Sequence, residues 1–124
     1  LDNKISEIGQ AGGNIRIIDF KISKGRLEID SQNDSIKYYL EDTGLELTQV
    51  GQDIKNGNLY IRTEKTGSKF KIFITRYYDN LNLTNDNADN IKVMQAAATP
   101  YRIQIENVGD NDVTQKTHIN FGVL

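Results

Sequence analysis

Lys69-Phe-Lys-Ile-Phe-Ile-Thr-Arg-Tyr-Tyr78 decides the fold class. Alternate side chains of an extended chain point to opposite faces. Phe70, Ile72 and Ile74 therefore share one face, and Phe73, Thr75 and Tyr77 share the other. β-branched and aromatic residues, which fit a pleated surface, dominate the stretch. Apolar residues on both faces predict a central strand covered on both sides for part of its length. The rest of the chain reads as strands laid around it.

Immediately upstream, Asn56-Gly57 is the strongest tight-turn dipeptide in the chain. Leu59, Ile61 and Thr63 then share one face, with Tyr60, Arg62 and Glu64 opposite. Lys65-Thr66-Gly67-Ser68 closes a hairpin onto the central strand. Further upstream, Leu27 and Ile29 alternate with Arg26, Glu28 and Asp30. Ile36, Tyr38 and Leu40 alternate with Lys37, Tyr39 and Glu41, and Leu45, Leu47 and Gln49 with Glu46 and Thr48. Ser23-Lys24-Gly25, Gln32-Asn33-Asp34 and Asp42-Thr43-Gly44 read as turns. Near the start, Ile15 and Ile17 share one face, and Ile18, Phe20 and Ile22 the other. The switch at Ile17-Ile18 implies either a bulge or a strand buried on both faces.

Downstream, residues 79–90 are rich in Asn and Asp, with a short strand expected around Leu81 and Leu83. Ile91-Lys-Val-Met-Gln-Ala-Ala-Ala98 is ambiguous: Ala and Met favour helix, while Ile91 and Val93 alternate as in a strand. The strand is preferred because its neighbours are strands. Pro100 opens a strand in which Tyr101, Ile103 and Ile105 alternate with Arg102, Gln104 and Glu106. Val113, Thr117, Ile119, Phe121 and Val123 are expected to form the inner row of the last strand. The expected core is Phe70, Ile72, Ile74, Ile61, Ile103, Ile105, Ile119 and Phe121. Short, closely spaced strands without a long helix predict an all-β, antiparallel β-sandwich, immunoglobulin-like or jelly-roll-like. The domain is expected over 14–124. Residues 1–13 form either a short helical stub with a glycine hinge or a frayed terminus, since Leu1, Ile5 and Ile8 fall at helical spacing before Gly9, Gly12 and Gly13.

At 124 residues the chain can bury a single core. Its net charge of −2 offers no basic excess for nucleic acid. There is no Cys, so disulfides and zinc-thiolate sites are excluded. Apolar runs are far too short to span a bilayer. A leader or anchor upstream of Leu1 would lie outside this sequence.

Residues suited to chemistry are sparse. His118 is the only histidine and reads as a solvated strand residue. No Gly-x-Ser-x-Gly elbow and no phosphate-binding loop occurs. The acid pairs Glu41 and Asp42, Asp110 and Asp112, and Asp86 and Asp89 belong mostly to turns. Asp79, Asp86 and Asp89 supply hard oxygens suited to calcium but lack the EF-hand spacing, so neither a metal nor a cofactor is expected. Asn33-Asp34-Ser35 and Asn82-Leu83-Thr84 are sequons, which makes Asn33 and Asn82 glycan acceptors if the chain is exported. Tyr39 and Tyr60, on polar faces, are candidates for a sugar- or protein-binding surface.

Leu1-Asp-Asn-Lys-Ile-Ser-Glu-Ile8 followed by Gly12-Gly13-Asn-Ile-Arg-Ile-Ile-Asp19 resembles the passage from helix to β-domain in archaeal type IV pilin-like and archaellin-like surface proteins. Asn56-Gly-Asn-Leu-Tyr-Ile61 and Tyr101-Arg-Ile-Gln-Ile-Glu-Asn-Val-Gly109 are similar in style to their ectodomains. The resemblance implies a class III signal peptide, an N-terminal apolar helix that anchors the precursor or packs in a filament, and a β-domain facing outward. It implies no catalytic residues. The expected function is a non-enzymatic, extracellular ectodomain on the archaeal cell surface, structural or adhesive, with filament subunits or S-layer protein as partners. The alternatives are a binding module for S-layer protein or glycan, and a small glycan-active enzyme using loop carboxylates.

Overall fold

The computed structural model describes residues 13–43, 50–51, 53–111 and 113–124. Ten strands among them form two sheets. The smaller sheet has the order β1-β9-β10-β7, with β1 Ile15–Phe20, β7 Leu81–Asn85, β9 Tyr101–Asp110 and β10 Thr117–Val123. The larger has the order β4-β5-β6-β3-β2-β8. Its strands are β2 Arg26–Asp30, β3 Ser35–Thr43, β4 Asp53–Asn56, β5 Leu59–Thr66, β6 Lys69–Tyr77 and β8 Ile91–Gln95. The helical stub, apart from Gly13, and the expected strand around Leu45 and Leu47 lie outside the described residues.

The stretch quoted first is β6, third of six strands and antiparallel to both neighbours. Gly57-Asn58 and Gly67-Ser68 form the two-residue turns on either side of β5, with Gly57 and Gly67 at positive φ. The ambiguous 91–98 segment is a strand as far as Gln95. It pairs with β2, whose hydrogen-bonding edge would otherwise be open.

The two sheets share one core. Ile29, Ile36 and Met94 from the larger sheet meet Leu81, Leu83, Ile103, Ile105, Ile119 and Phe121 from the smaller, with Ile22 and Tyr78 closing the ends. Each fully buried Ile or Leu contributes roughly 1.5–3 kcal/mol. Of the expected core, Ile72, Ile103, Ile105, Ile119 and Phe121 are buried. Phe70, Ile61 and Ile74 are only half-buried, since four strands cannot cover the inner rows of six.

Several expectations are corrected. The sandwich is not wholly antiparallel: β10 runs parallel to β7. The outer face of β6 is not covered by a second layer, because Phe73 and Thr75 stand half-buried and Tyr77 exposed on the outside of the sheet. Ile15 and Ile17 are neither buried nor beside a bulge. They are 49% and 55% exposed on the outer face of edge strand β1, and their register with β9 runs unbroken. The irregularity falls instead in β9, where Val108 has no partner between Gly109↔His118 and Asn107↔Ile119. Val113 is not an inner residue and is 93% exposed. The Asn111 carboxamide oxygen accepts from the backbone N–H of Val113 and Thr114, which turns the chain and points Val113 outward.

Where the chain changes sheets, buried polar groups replace the lost ladder bonds. Asn85 Nδ2 donates to the Ile29 carbonyl at 3.0 Å, and Asp34 Oδ1 accepts from Leu83 N–H at 2.9 Å. Within the larger sheet, at the turn from β2 to β3, Asp30, 2% exposed, receives the backbone N–H of Gln32 and Asn33, the Asn33 amide and the Lys37 ammonium. Burial works against its charge, but these donors outweigh that effect and hold the carboxyl below its ordinary pKa.

Ile72→Ala should lower unfolding stability by about 2–5 kcal/mol, and Val113→Ala should change it by less than about 0.5 kcal/mol, both by urea titration. Asp30→Asn should cost about 1–3 kcal/mol near pH 7. A depressed carboxyl stabilises fully above its unfolded pKa and loses that contribution as pH falls through its folded pKa. The gap between wild type and variant should therefore close below about pH 4.

Candidate functional site

Cross-strand neighbours share a face, so the registers assemble the outer surface of the larger sheet row by row. One row crosses all six strands: Gln95, Arg26, Tyr39, Phe73, Arg62 and Asp53. The next contains Val93, Glu28, Lys37, Thr75, Tyr60 and Lys55. Tyr39 and Phe73 meet edge to face at 5.1 Å and 88°, and Tyr60 and Tyr77 at 5.2 Å and 87°. Such pairs add about 0.5–1.5 kcal/mol beyond area burial. The Arg26 guanidinium lies 4.6 Å from the Tyr39 ring centre, and the Lys55 ammonium 5.3 Å from that of Tyr60.

Charges on this face are mixed rather than of one sign. Arg26 pairs with Glu28 at 3.4 Å and Glu41 at 3.7 Å, and Lys71 also reaches Glu41 at 3.8 Å. Arg62 joins Asp53 at 3.1 Å and Glu64 at 3.2 Å. The Tyr39 phenol is pushed above its ordinary pKa, first by burial and then by the charge of Glu28. It is therefore a proton donor at neutral pH. The surface offers aromatic edges, fixed cations and fixed anions: the means for non-covalent contact.

Tyr39 and Tyr60 thus stand on the outer face, as expected, but half-buried. The sequence reading missed Phe73 and Tyr77 beside them and the cations above them. Counting back from the Gly67-Ser68 turn sets Arg62 opposite Phe73 and Tyr60 opposite Thr75, so part of this cluster was there to be found. The Tyr39–Phe73 contact depends on pairing between distant strands and carried no local signal.

The other sequence candidates are dispersed. Asp79 Oδ2 accepts from Asn58 Nδ2 at 3.0 Å, and Asp86, at positive φ, donates its backbone N–H to the Phe121 carbonyl. Among the described residues, no group of three His, Asp or Glu side chains stands close enough to hold a metal. Asn33 is exposed, but its amide is tied to Asp30 Oδ2 at 2.9 Å and Ser35 is buried. Asn82 is exposed on edge strand β7.

Thr84, the hydroxyl of the second sequon, is buried and donates to Asn120 Oδ1 at 2.8 Å. Its one proton is thereby committed. His118 Nε2, 2.7 Å away, must be the donor to Thr84 Oγ1. His118 is thus half-buried in a polar network rather than a freely solvated strand residue. Glu41 is held by its cations, Asp110 Oδ1 accepts from the Thr117 hydroxyl at 2.8 Å, and Asp42 and Asp112 have no described side chains.

A cleft of about 510 Å³ opens between the sheets at one end. It is lined by Phe20, Ile22, Leu27, Tyr38 and Leu40, with Lys21, Ser23 and Lys24. A smaller one of about 190 Å³ lies beside His118 and Asp110. Neither brings two described carboxylates together.

No protein family, curated protein or solved structure matches this chain.

Spectroscopic titration of the tyrosines tests the electrostatics. Tyr39 should ionise later than an unperturbed phenol, at a pH above about 10. Glu28→Gln should move its midpoint down, while burial keeps part of the upward shift.

Proposed function

We propose that this chain is a non-enzymatic ectodomain of a cell-surface protein of the archaeal pilin-like type, structural or adhesive in role. Its contact surface is the outer face of the larger sheet. The carrying observation is the row Arg26, Tyr39, Phe73 and Arg62, extended by Tyr60 and Tyr77. Aromatic residues and Arg are the side chains enriched at the energetic centres of protein interfaces. The resemblance of the N-terminal stretch to pilin-like proteins supports the surface setting.

A protein partner, a filament subunit or S-layer protein, fits this face better than a glycan. A sugar stacks on an open ring face, whereas the Tyr39 and Tyr60 rings already face Arg26 and Lys55. Mixed charges suit a protein surface and give little purchase to a polyanion. The enzyme alternative needs two carboxylates across a cleft, and neither cleft above supplies them from described residues.

The test is binding of the domain to S-layer protein and to assembled pilin filaments from the cell that makes it, by biolayer interferometry. Tyr39→Ser with Phe73→Ser should weaken binding roughly 30-fold, the factor for a hot spot of about 2 kcal/mol. Arg26→Glu, a milder change to the fold, should act in the same direction. Ile15→Ser with Ile17→Ser, on the other sheet, should leave binding unchanged. Binding that survives the first two variants would refute the assignment of this face.

A further inference from the structure

The chain passes from β1 to β2 through residues 21–25, a strap across the open end between the sheets. Three hydrogen bonds hold it. Ala97 N–H donates to the Ile22 carbonyl at 3.0 Å, Ala96 N–H to the Gly25 carbonyl at 3.0 Å, and the Tyr38 hydroxyl to the Lys24 carbonyl at 2.6 Å. Gly25 has φ +77°, and a Cβ there would stand 2.0 Å from the Tyr39 carbonyl oxygen. The strap is therefore pressed against β3 at a point only glycine fits, and the cleft beneath it is preformed.

That cleft has the size and character of a small-molecule site. Phe20 walls it from the smaller sheet, and Leu27, Tyr38 and Leu40 from the larger. The Tyr38 hydroxyl is already occupied by the strap, so the interior asks for an apolar guest. The mouth differs. Lys21 and Lys24 stand there exposed, and neither has an acidic partner among the described residues. Arg26, Lys37, Arg62, Lys71 and Arg102 have one, while Lys55, Lys65, Lys69 and Lys92 also lack one; Lys21 and Lys24 are the two that border the apolar cleft. Lys21 and Ser23 also border a shallow groove of about 330 Å³ over Ala96, Ala97 and Ala98, continuous with the mouth.

The geometry points to a binding site for a single-chain amphiphile with a carboxylate head. The apolar chain lies in the cleft beneath the strap, and the head is held between Lys21 and Lys24. Two unpaired cations over an apolar hollow select an anion with a tail over a neutral or cationic one. The site is distinct from the outer contact face and does not depend on it.

Isothermal titration of the whole chain with sodium dodecanoate below its micellar concentration tests this, with dodecyltrimethylammonium as the cation of equal tail. Dodecanoate should bind at one site per chain and the cation at least tenfold more weakly. Lys21→Glu with Lys24→Glu, both exposed and so harmless to folding, should weaken dodecanoate at least tenfold and reverse the preference. Leu40→Trp, checked for an intact unfolding transition, should weaken the tail whichever head it carries. Absent binding, several equivalent sites, or affinity unmoved by the charge reversal would overturn the proposal. Binding to phosphatidylglycerol vesicles without binding to monomeric dodecanoate would also overturn it and mark the lysines as a membrane-surface patch.

Discussion

The carboxamide of Asn85 sits between the sheets, 1% exposed, with its Nδ2 on the Ile29 carbonyl. The architecture depends on bonds of this kind. A chain that changes sheets strands backbone donors and acceptors at each crossing, and leaving one buried without a partner costs about 1–3 kcal/mol. Asn85, Asp34 and Ser31 meet that demand from side chains, and Asp30 does the same for the turn from β2 to β3. Ser31 Oγ donates to the Asn90 carbonyl and accepts the Asn90 N–H, so it closes the crossing into β8 from both directions. The apolar core supplies the drive to pack two sheets. These polar residues decide which strand ends can meet.

This division explains how much was legible from sequence. Period-two alternation marks β5, β6, β9 and β10 directly, because the side chains themselves record which face is wet. The turns around β5 announce its partners, because a two-residue turn allows one register. By contrast, nothing local marks the parallel pairing of β10 with β7: that choice belongs to crossings made far away in the chain. Val113 misled because it sits in phase with Thr117 and Ile119, yet the Asn111 cap breaks the phase. Ile15 and Ile17 misled because β-branched residues suit an exposed edge strand as well as a buried one. Of the candidate site, the positions of Tyr39 and Tyr60 were readable. The rings and cations that half-bury them were not, apart from those a hairpin count reaches.

The two sheets carry different surfaces. The larger presents rings braced by cations and acids that neutralise one another. At the open end, the strap carries Lys21 and Lys24, which have no such counterpart among the described residues. A domain of small net charge thus holds one electrically quiet face and one locally positive mouth. Any partner approaching through solvent feels that mouth only within about a Debye length, roughly 8 Å at physiological salt.

β1 touches the rest of its sheet only through β9, more than eighty positions along the chain. During synthesis the larger sheet can begin as hairpins once β5 and β6 have emerged, but β1 has no partner in its sheet until β9 has been made. Closing such a distance is slow compared with forming a hairpin. From its own emergence until that of β9, β1 therefore stays unpaired in its sheet, and the smaller sheet is completed after the hairpins of the larger. Over that interval Ile15, Ile17 and Ile18 lie open to whatever cellular machinery attends the nascent chain.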